Sequence, residues 1–233
     1  MIVLSIDTST DFCSLGLVQD DKLLVDYRAD FKRAHAEKLI GAVENVLKSG
    51  SIELSQVDGI AISLGPGSFT GLRIGLATAK GFCFAENKKI IGINTLDALA
   101  ENVRVWNGSI CSLIHAQANE FYVGSYESDS REISRVNDYE IIVLKDIVKH
   151  FSENVLFVSP HKERVIKYLK EKEIEIPPFA VPEYNYLSGV TIARLGVEKI
   201  KAGEEDDPHL LQPFYLKDFI AKQKGEHKIV RTQ

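Results

Sequence analysis

Apolar positions open the chain in three strand-length runs, Ile2–Asp7, Phe12–Val18 and Leu23–Arg28, with the polar trio Gln19-Asp20-Asp21 between the last two. That spacing predicts a three-strand meander. From Ala34 to Lys48 the period lengthens: Leu39, Val43, Val46 and Leu47 share one helical face, and Gly50 ends the helix. A strand over Asp58–Ser63, a helix over Thr70–Ala85, a strand over Ile90–Ile93 and a helix near Leu96–Val103 follow, the last capped by Thr95 or Asn94. The resulting order is βββαβαβα, and its later strands, joined by helical crossovers, are expected to be parallel.

A weaker echo follows: strands Ile110–Ala116, Phe121–Tyr126 and Tyr139–Val143, a helix near Lys145–His150, a strand Val155–Ser159, and helices near Lys162–Glu171 and Ser188–Ala202. The polar turn Asn107-Gly108-Ser109 marks the expected boundary between two subdomains, 1–107 and 108–233, the second truncated. The fold class this implies is α/β, and the order resembles the ribonuclease H-like half-domain that is duplicated in actin-like (ASKHA) proteins.

The densest local signal lies between Leu64 and Phe84. Gly65 and Gly67 bracket Pro66, which suits a turn needing one positive φ and one fixed φ. Ser68 or Thr70 can cap the helix that follows, and its free N–H groups form a potential anion site. No Gly-Lys-Ser/Thr follows, so the loop is not a Walker motif. Leu72, Leu76, Ala79 and Cys83 form an apolar stripe, while Gly71, Gly75, Thr78 and Phe82 form a neighbouring small face. Glycine costs about 1 kcal/mol against alanine in a helix, so two on one face call for a close backbone, from the chain's own sheet or from a partner.

The chain has 233 residues, 45% of them hydrophobic, and a formal charge of −5, which excludes a protein that coats nucleic acid over a broad basic face. Cys13, Cys83 and Cys111 sit apart in apolar contexts, as buried thiols of a reducing compartment do. Met1–Asp7 lacks a basic leader and no apolar run reaches a membrane span, so a cytoplasmic protein without membrane contact is expected.

Three segments then carry a resemblance: Ile6-Asp7-Thr8-Ser9-Thr10, the run Gly65–Gly75, and Gln212-Pro213-Phe214-Tyr215-Leu216-Lys217. Together they resemble the bacterial TsaB (YeaZ) family of the tRNA threonylcarbamoyladenosine machinery. The resemblance implies an actin-like fold and a non-catalytic subunit that stabilises and activates a paralogous, TsaD-like transferase by dimerisation. It also implies a homodimer when that partner is absent, a TsaE-like ATPase in the same complex, and only indirect contact with tRNA. The alternatives are a stand-alone ASKHA kinase or metal-dependent transferase and, last, a protease.

The site residues follow from that pattern. Asp7, Thr8 and Ser9 end the first strand, where a carboxylate and two hydroxyls suit Mg²⁺-bound phosphate; the competing reading is that they satisfy the turn's own N–H groups. After Gly124 the glycines are Gly189, Gly196, Gly203 and Gly225, none paired, so a Gly-Gly nucleotide turn has no candidate. The catalytic paralogue carries His-x-x-x-His on its first helix, whereas here the stretch reads His35-Ala36-Glu37-Lys38-Leu39. A lone His35 reads as a solvated or capping residue. Ser68 lacks the nucleophile-elbow spacing. No catalytic residue, metal or cofactor is therefore expected. His115 and Gln117 stand where the family more often has Asp and Arg, and Glu120 and Tyr122 read as turn and strand residues. The tail 217–233 sets Lys217, Lys222, Lys224, Lys228 and Arg231 against Asp218 and Glu226, either a frayed end or an RNA-phosphate contact. The expected partner interface is centred on Leu39, Val43, Gly71, Gly75, Leu76 and Phe82.

Overall fold

Strand β1 (Ile2–Asp7) is buried along nearly its whole length and lies at the centre of a five-stranded sheet. The computed structural model of the protein describes residues 1–32 and 34–216. The first sheet has the order β3-β2-β1-β4-β5, with β2 (Phe12–Gln19), β3 (Lys22–Asp30), β4 (Gly59–Gly65) and β5 (Lys89–Asn94). β1 runs antiparallel to β2 and parallel to β4, and β4 runs parallel to β5, as the helical crossovers require. Helices α1 (His35–Ser49) and α2 (Phe69–Glu86) cover one face, burying Leu4, Ile6, Leu15, Leu17, Ile60 and Ile62. The opposite face, with Val3, Ala61 and Ile91, packs against a helix from the far end of the chain. That helix is α5 (Gly189–Lys201), and it contacts β1, β2 and β4. Gly16 and Gly189 allow the approach, since a Cβ on either would meet the other's backbone.

The second sheet has the order β10-β6-β7-β8, with β9 also paired to β7. Its strands are β6 (Asn107–His115), β7 (Glu120–Asp129), β8 (Ile133–Arg135), β9 (Glu140–Val143) and β10 (Val155–Val158). Helix α4 (Lys162–Glu171) buries Val165 and Leu169 against it. Helix α3 (Thr95–Glu101) lies at the seam, touching β5 of the first sheet and β6 and β7 of the second.

Most expected elements form within a residue or two of their sequence limits, and the differences have physical causes. Asn107-Gly108-Ser109 is not a turn but the start of β6, because these residues pair with Asp129, Ser128 and Glu127 of β7. Lys145–His150 is not an α-helix; Leu144–His150 forms 3-10 turns that bury only Leu144 and Ile147. The helix caps resolve to Ser68, whose hydroxyl accepts the Gly71 N–H at 3.2 Å, and Asn94, which accepts the Leu96 N–H at 2.8 Å. Each such cap contributes about 1 kcal/mol.

After α5 the segment 204–216 runs back along the exposed edge of the first sheet. Asp206 N donates to Ile90 O at 3.0 Å, the Gly92 N–H donates to Asp206 Oδ2 at 2.8 Å, and Phe214 N donates to Leu64 O at 2.8 Å. The edge strand β5 is thereby covered rather than left open to other chains. Lys217 and the basic tail beyond it lie outside the described residues.

Candidate functional site

Asp7 ends β1 directly opposite Ser14 of β2, so both side chains point to the same face. Over that face lies the segment leading into α5. Ser14 Oγ donates to Leu187 O at 2.9 Å and Ser5 Oγ donates to Gly189 O at 2.5 Å. Asn185, itself buried, donates to Ala180 O at 2.6 Å and accepts the Ser159 N–H at 3.0 Å, tying the segment to the second sheet. Phe12 and Tyr186 add a ring contact at 4.8 Å. Beneath this cover Asp7 is 0% exposed. Burial raises its pKa, outweighing the lowering by the neighbouring Ser63 and Ser9 hydroxyls, the Ser9 N–H and His35. Ser9 N–H reaches Asp7 Oδ1 at 3.3 Å, the turn satisfying its own backbone.

Thr8 explains the glycines of α2. Its Oγ1 donates to Gly71 O at 2.7 Å, and a Cβ on Gly71 would meet Thr8 O. A Cβ on Gly75 would meet Thr8 Oγ1, with Ile62 Cδ1 at 3.3 Å. Gly67 packs likewise on the Ser9 backbone, while the positive φ of the loop, +111°, falls on Gly65. The close backbone that the glycines demanded is the chain's own β1–β2 turn.

The residues expected at the partner face are largely buried in the chain's own core. Leu39 and Val43 are 1% exposed and Leu76 6%, all within the core beneath the first sheet, together with buried Gly71 and Gly75. Phe82 is half-buried against the same core. The reason is geometric: a helix under a sheet turns its small face inward where the strand end comes nearest. What α1 and α2 leave outward is Ile40, 55% exposed, and Phe84, 52% exposed, along with Gly41, Ala77 and Gly81. A Cβ on Gly41 or Gly81 would meet nothing within 4 Å.

His35 is likewise not solvated. It is buried, its Nε2 stands 2.9 Å from Thr10 O, and its ring packs on Phe31 at 5.8 Å. Among the described residues no three His, Cys, Asp or Glu side chains converge as a metal site. His115 closes β6, its Nε2 2.9 Å from Ala118 O, and its N–H donates to Nδ1 of His161 at 3.3 Å. Burial, then His115 and Arg164, push the His161 pKa down to about 4, although Asp11 across the seam opposes them. Gln117 reaches Glu120 at 3.4 Å, a local turn contact.

Two features had no sequence signal. Asp97 of α3 accepts hydrogen bonds from Tyr126 OH at 2.8 Å and Tyr139 OH at 2.8 Å, latching the first half of the chain to the second sheet. The covering segment around Asn185 looked like a plain loop, because its hydrogen bonds join residues far apart in sequence.

Comparison with known proteins follows the same lines. The family described as TsaD, tRNA N6-adenosine threonylcarbamoyltransferase, matches residues 29–223. The chain is similar to the tRNA threonylcarbamoyladenosine biosynthesis protein TsaB of Bacillus subtilis (strain 168), 28% identical over 96% of this chain and 97% of that protein. TsaB of Escherichia coli (strain K12) is 30% identical over 64% of each chain. The solved structure of YeaZ from Pseudomonas aeruginosa superposes with a TM-score of 0.77 at 22% identity, covering 92% of this chain and 99% of that one. The fold is thus the actin-like one that the element order implied.

Proposed function

From the premise that this chain belongs to the TsaD family, on its TsaB (YeaZ) branch, and takes part in tRNA threonylcarbamoyladenosine biosynthesis, we propose that it is the non-catalytic subunit of that machinery. The observation that carries this reading is the burial of Asp7. A carboxylate that receives metal-bound phosphate must be reachable, and this one has no exposed surface, its sheet neighbour Ser14 being tied to Leu187 O. Leu39 in place of a second histidine one turn from His35 supports the same conclusion.

Its role is then to hold a TsaD-like paralogue in its active form, in the cytoplasm, with a TsaE-like ATPase in the assembly and tRNA contacted through the partner. The surface for that contact is the outward side of α1 and α2, with Ile40, Gly41, Ala77, Gly81 and Phe84, where two helix pairs can pack at about 8–10 Å between axes. The same surface serves self-association when the partner is absent. In this role the two halves of the described chain stay packed together, because α5 lies on the first sheet.

The test combines activity and association. The isolated chain is expected to bind and turn over no ATP in calorimetry and phosphate-release assays, and to support modification of tRNA only when a TsaD-like subunit is added. Gly81→Arg and Ile40→Asp are expected to abolish co-elution with that subunit while the circular dichroism melt stays cooperative. Mg²⁺-dependent ATP turnover by the chain alone would instead establish a stand-alone kinase or transferase.

A further inference from the structure

Arg73, near the start of α2, is exposed, yet its side chain is held in place. Its guanidinium lies over the Phe69 ring at 3.8 Å, and its Nε–H donates to Tyr215 Oη at 3.0 Å. The Tyr215 ring in turn packs on Phe69 at 5.3 Å between centroids. Further along the same helix Phe84 is 52% exposed, although the His209 ring packs on it at 4.8 Å. Tyr215 and His209 both belong to the segment 204–216, which hydrogen bonds to Ile90, Gly92 and Leu64 fix along the sheet edge. One strap therefore braces both ends of the outward side of α2.

At about 100° per residue, Ala77, Gly81 and Phe84 lie within about 80° of Arg73 around the helix. The stripe they form is about 16 Å long, with a cation at one end, a ring at the other and two small residues between. Its two ends match each other. The midpoint of Arg73 and Phe84 on the residue numbering is 78.5, and that of Ala77 and Gly81 is 79. A second copy laid antiparallel over the small residues therefore sets Phe84 of one copy over Arg73 of the other, twice. A parallel pairing would set Arg73 against Arg73, two like charges. Arg73 has no ion pair among the described residues, so its charge is available to a ring.

We propose that the strap is a working part of the association surface: through Tyr215 and His209 it fixes Arg73 and Phe84, and in a self-pair each Arg73 guanidinium is sandwiched between its own Phe69 and Phe84 of the second copy. A planar cation suits that sandwich, and a side chain already held costs less to order on binding. The contact is the same on both copies, so the pair closes at two. The inference rests on the proposed reading only in placing association on the outward side of α1 and α2; the register and the part of the strap are its own.

The experiment is sedimentation equilibrium of the full chain alone, with melts of each variant. Wild type is expected to form dimers. Arg73→Ala and Phe84→Ala should each weaken the dimer by about 10- to 100-fold, and the double variant by less than the product of the two. Tyr215→Phe, which removes the hydroxyl that positions Arg73, should weaken it about 3- to 10-fold in wild type and have no effect in the Arg73→Ala background. In the wild-type chain, dilution through the dimer midpoint should shift the Arg73 Nε–H and Phe84 ring resonances together, a readout that needs no variant to fold. A monomeric wild type, or losses at Arg73 and Phe84 that simply multiply, would overturn the self-pair. A Tyr215→Phe effect that is absent, or equal in both backgrounds, would overturn the part of the strap. Activation of a TsaD-like subunit is measured separately: a monomeric chain that still activates it keeps the proposed role and loses this inference, and a chain that pairs as described without activating does the reverse.

Discussion

Replacing Gly71 by alanine adds one methyl group at the point where α2 meets the β1–β2 turn, and the structure sets the sign of the effect. Alanine in a helix interior is worth about 1 kcal/mol over glycine, so on propensity alone Gly71→Ala would stabilise. Against this, the new Cβ would collide with Thr8 O, a backbone atom in a turn fixed by β1 on one side and β2 on the other. Overpacking of this kind costs about 1–3 kcal/mol. Moving Thr8 away also weakens the 2.7 Å bond from its Oγ1 to Gly71 O, a further loss of about 0.5–1.5 kcal/mol. The net expectation is a destabilisation of about 0.5–3.5 kcal/mol, which for a chain of this length lowers Tm by about 2–4 °C per kcal/mol. Gly81→Ala is the control, because it lies in the same helix with nothing within 4 Å of the added Cβ. It is expected to gain about 0.5–1 kcal/mol. Urea unfolding and thermal melts of the two variants beside wild type decide the matter. A Gly71→Ala protein as stable as wild type, or more so, would refute the claim that the small face of α2 is filled by the chain itself.

Three further outcomes are expected. Asp97→Asn removes the ionised acceptor shared by Tyr126 and Tyr139, and chemical denaturation should show a loss of about 1.5–3 kcal/mol; an unchanged midpoint would mean the two phenols do not latch the halves. Burial pushes the Cys13 thiol up to about 12 and Cys83 up to about 11, and lifts Cys111 as well, so a thiol reagent at neutral pH should label the three only after denaturation. For Asp7 the folded pKa is raised above the unfolded value, so the native state holds the extra proton. Stability is then greatest below the unfolded value and declines as pH rises toward the folded one, by at most about 1.4 kcal/mol per pH unit. Asp7→Asn should flatten that decline, and an Asp7→Asn protein whose pH profile matches wild type would sink the assignment.

The sequence made the periodic elements legible because both periods were strong: Ile2–Asp7 and Lys162–Glu171 form over the residues expected. Where one residue had to stand for a contact, pattern reasoning failed in a consistent way. Asn107-Gly108-Ser109 has turn composition, yet long-range pairing with β7 overrides the local preference. His35, a lone histidine at a helix start, reads from sequence as a solvated or capping residue, but its own position faces Thr10 and Phe31. The glycine loop was legible as a turn, and the demand for positive φ falls on Gly65. The cover over Asp7 was not legible, because Ser14 to Leu187 spans 173 residues and no local period encodes it.

The same limit applies to the two small faces of α2, only one of which the chain itself fills. Gly71 and Gly75 are four residues apart and Gly81 six residues further, so the first two share a face that Gly81 cannot share. Both groups have small residues, and sequence alone cannot say which group meets the chain's own backbone. The structure separates them by cost. Gly71 and Gly75 admit Thr8 within hydrogen-bond reach, so their loss of helix propensity is offset inside the monomer. Gly41 and Gly81 each forgo about 1 kcal/mol of propensity with no neighbour to gain from it. Ile40 and Phe84 beside them hold more than half their surface in water. On the proposed reading, a second helix pair closing over these residues offsets both deficits at once. That is why a substitution at Gly81 should stabilise the isolated chain when it is alanine and abolish association when it is arginine.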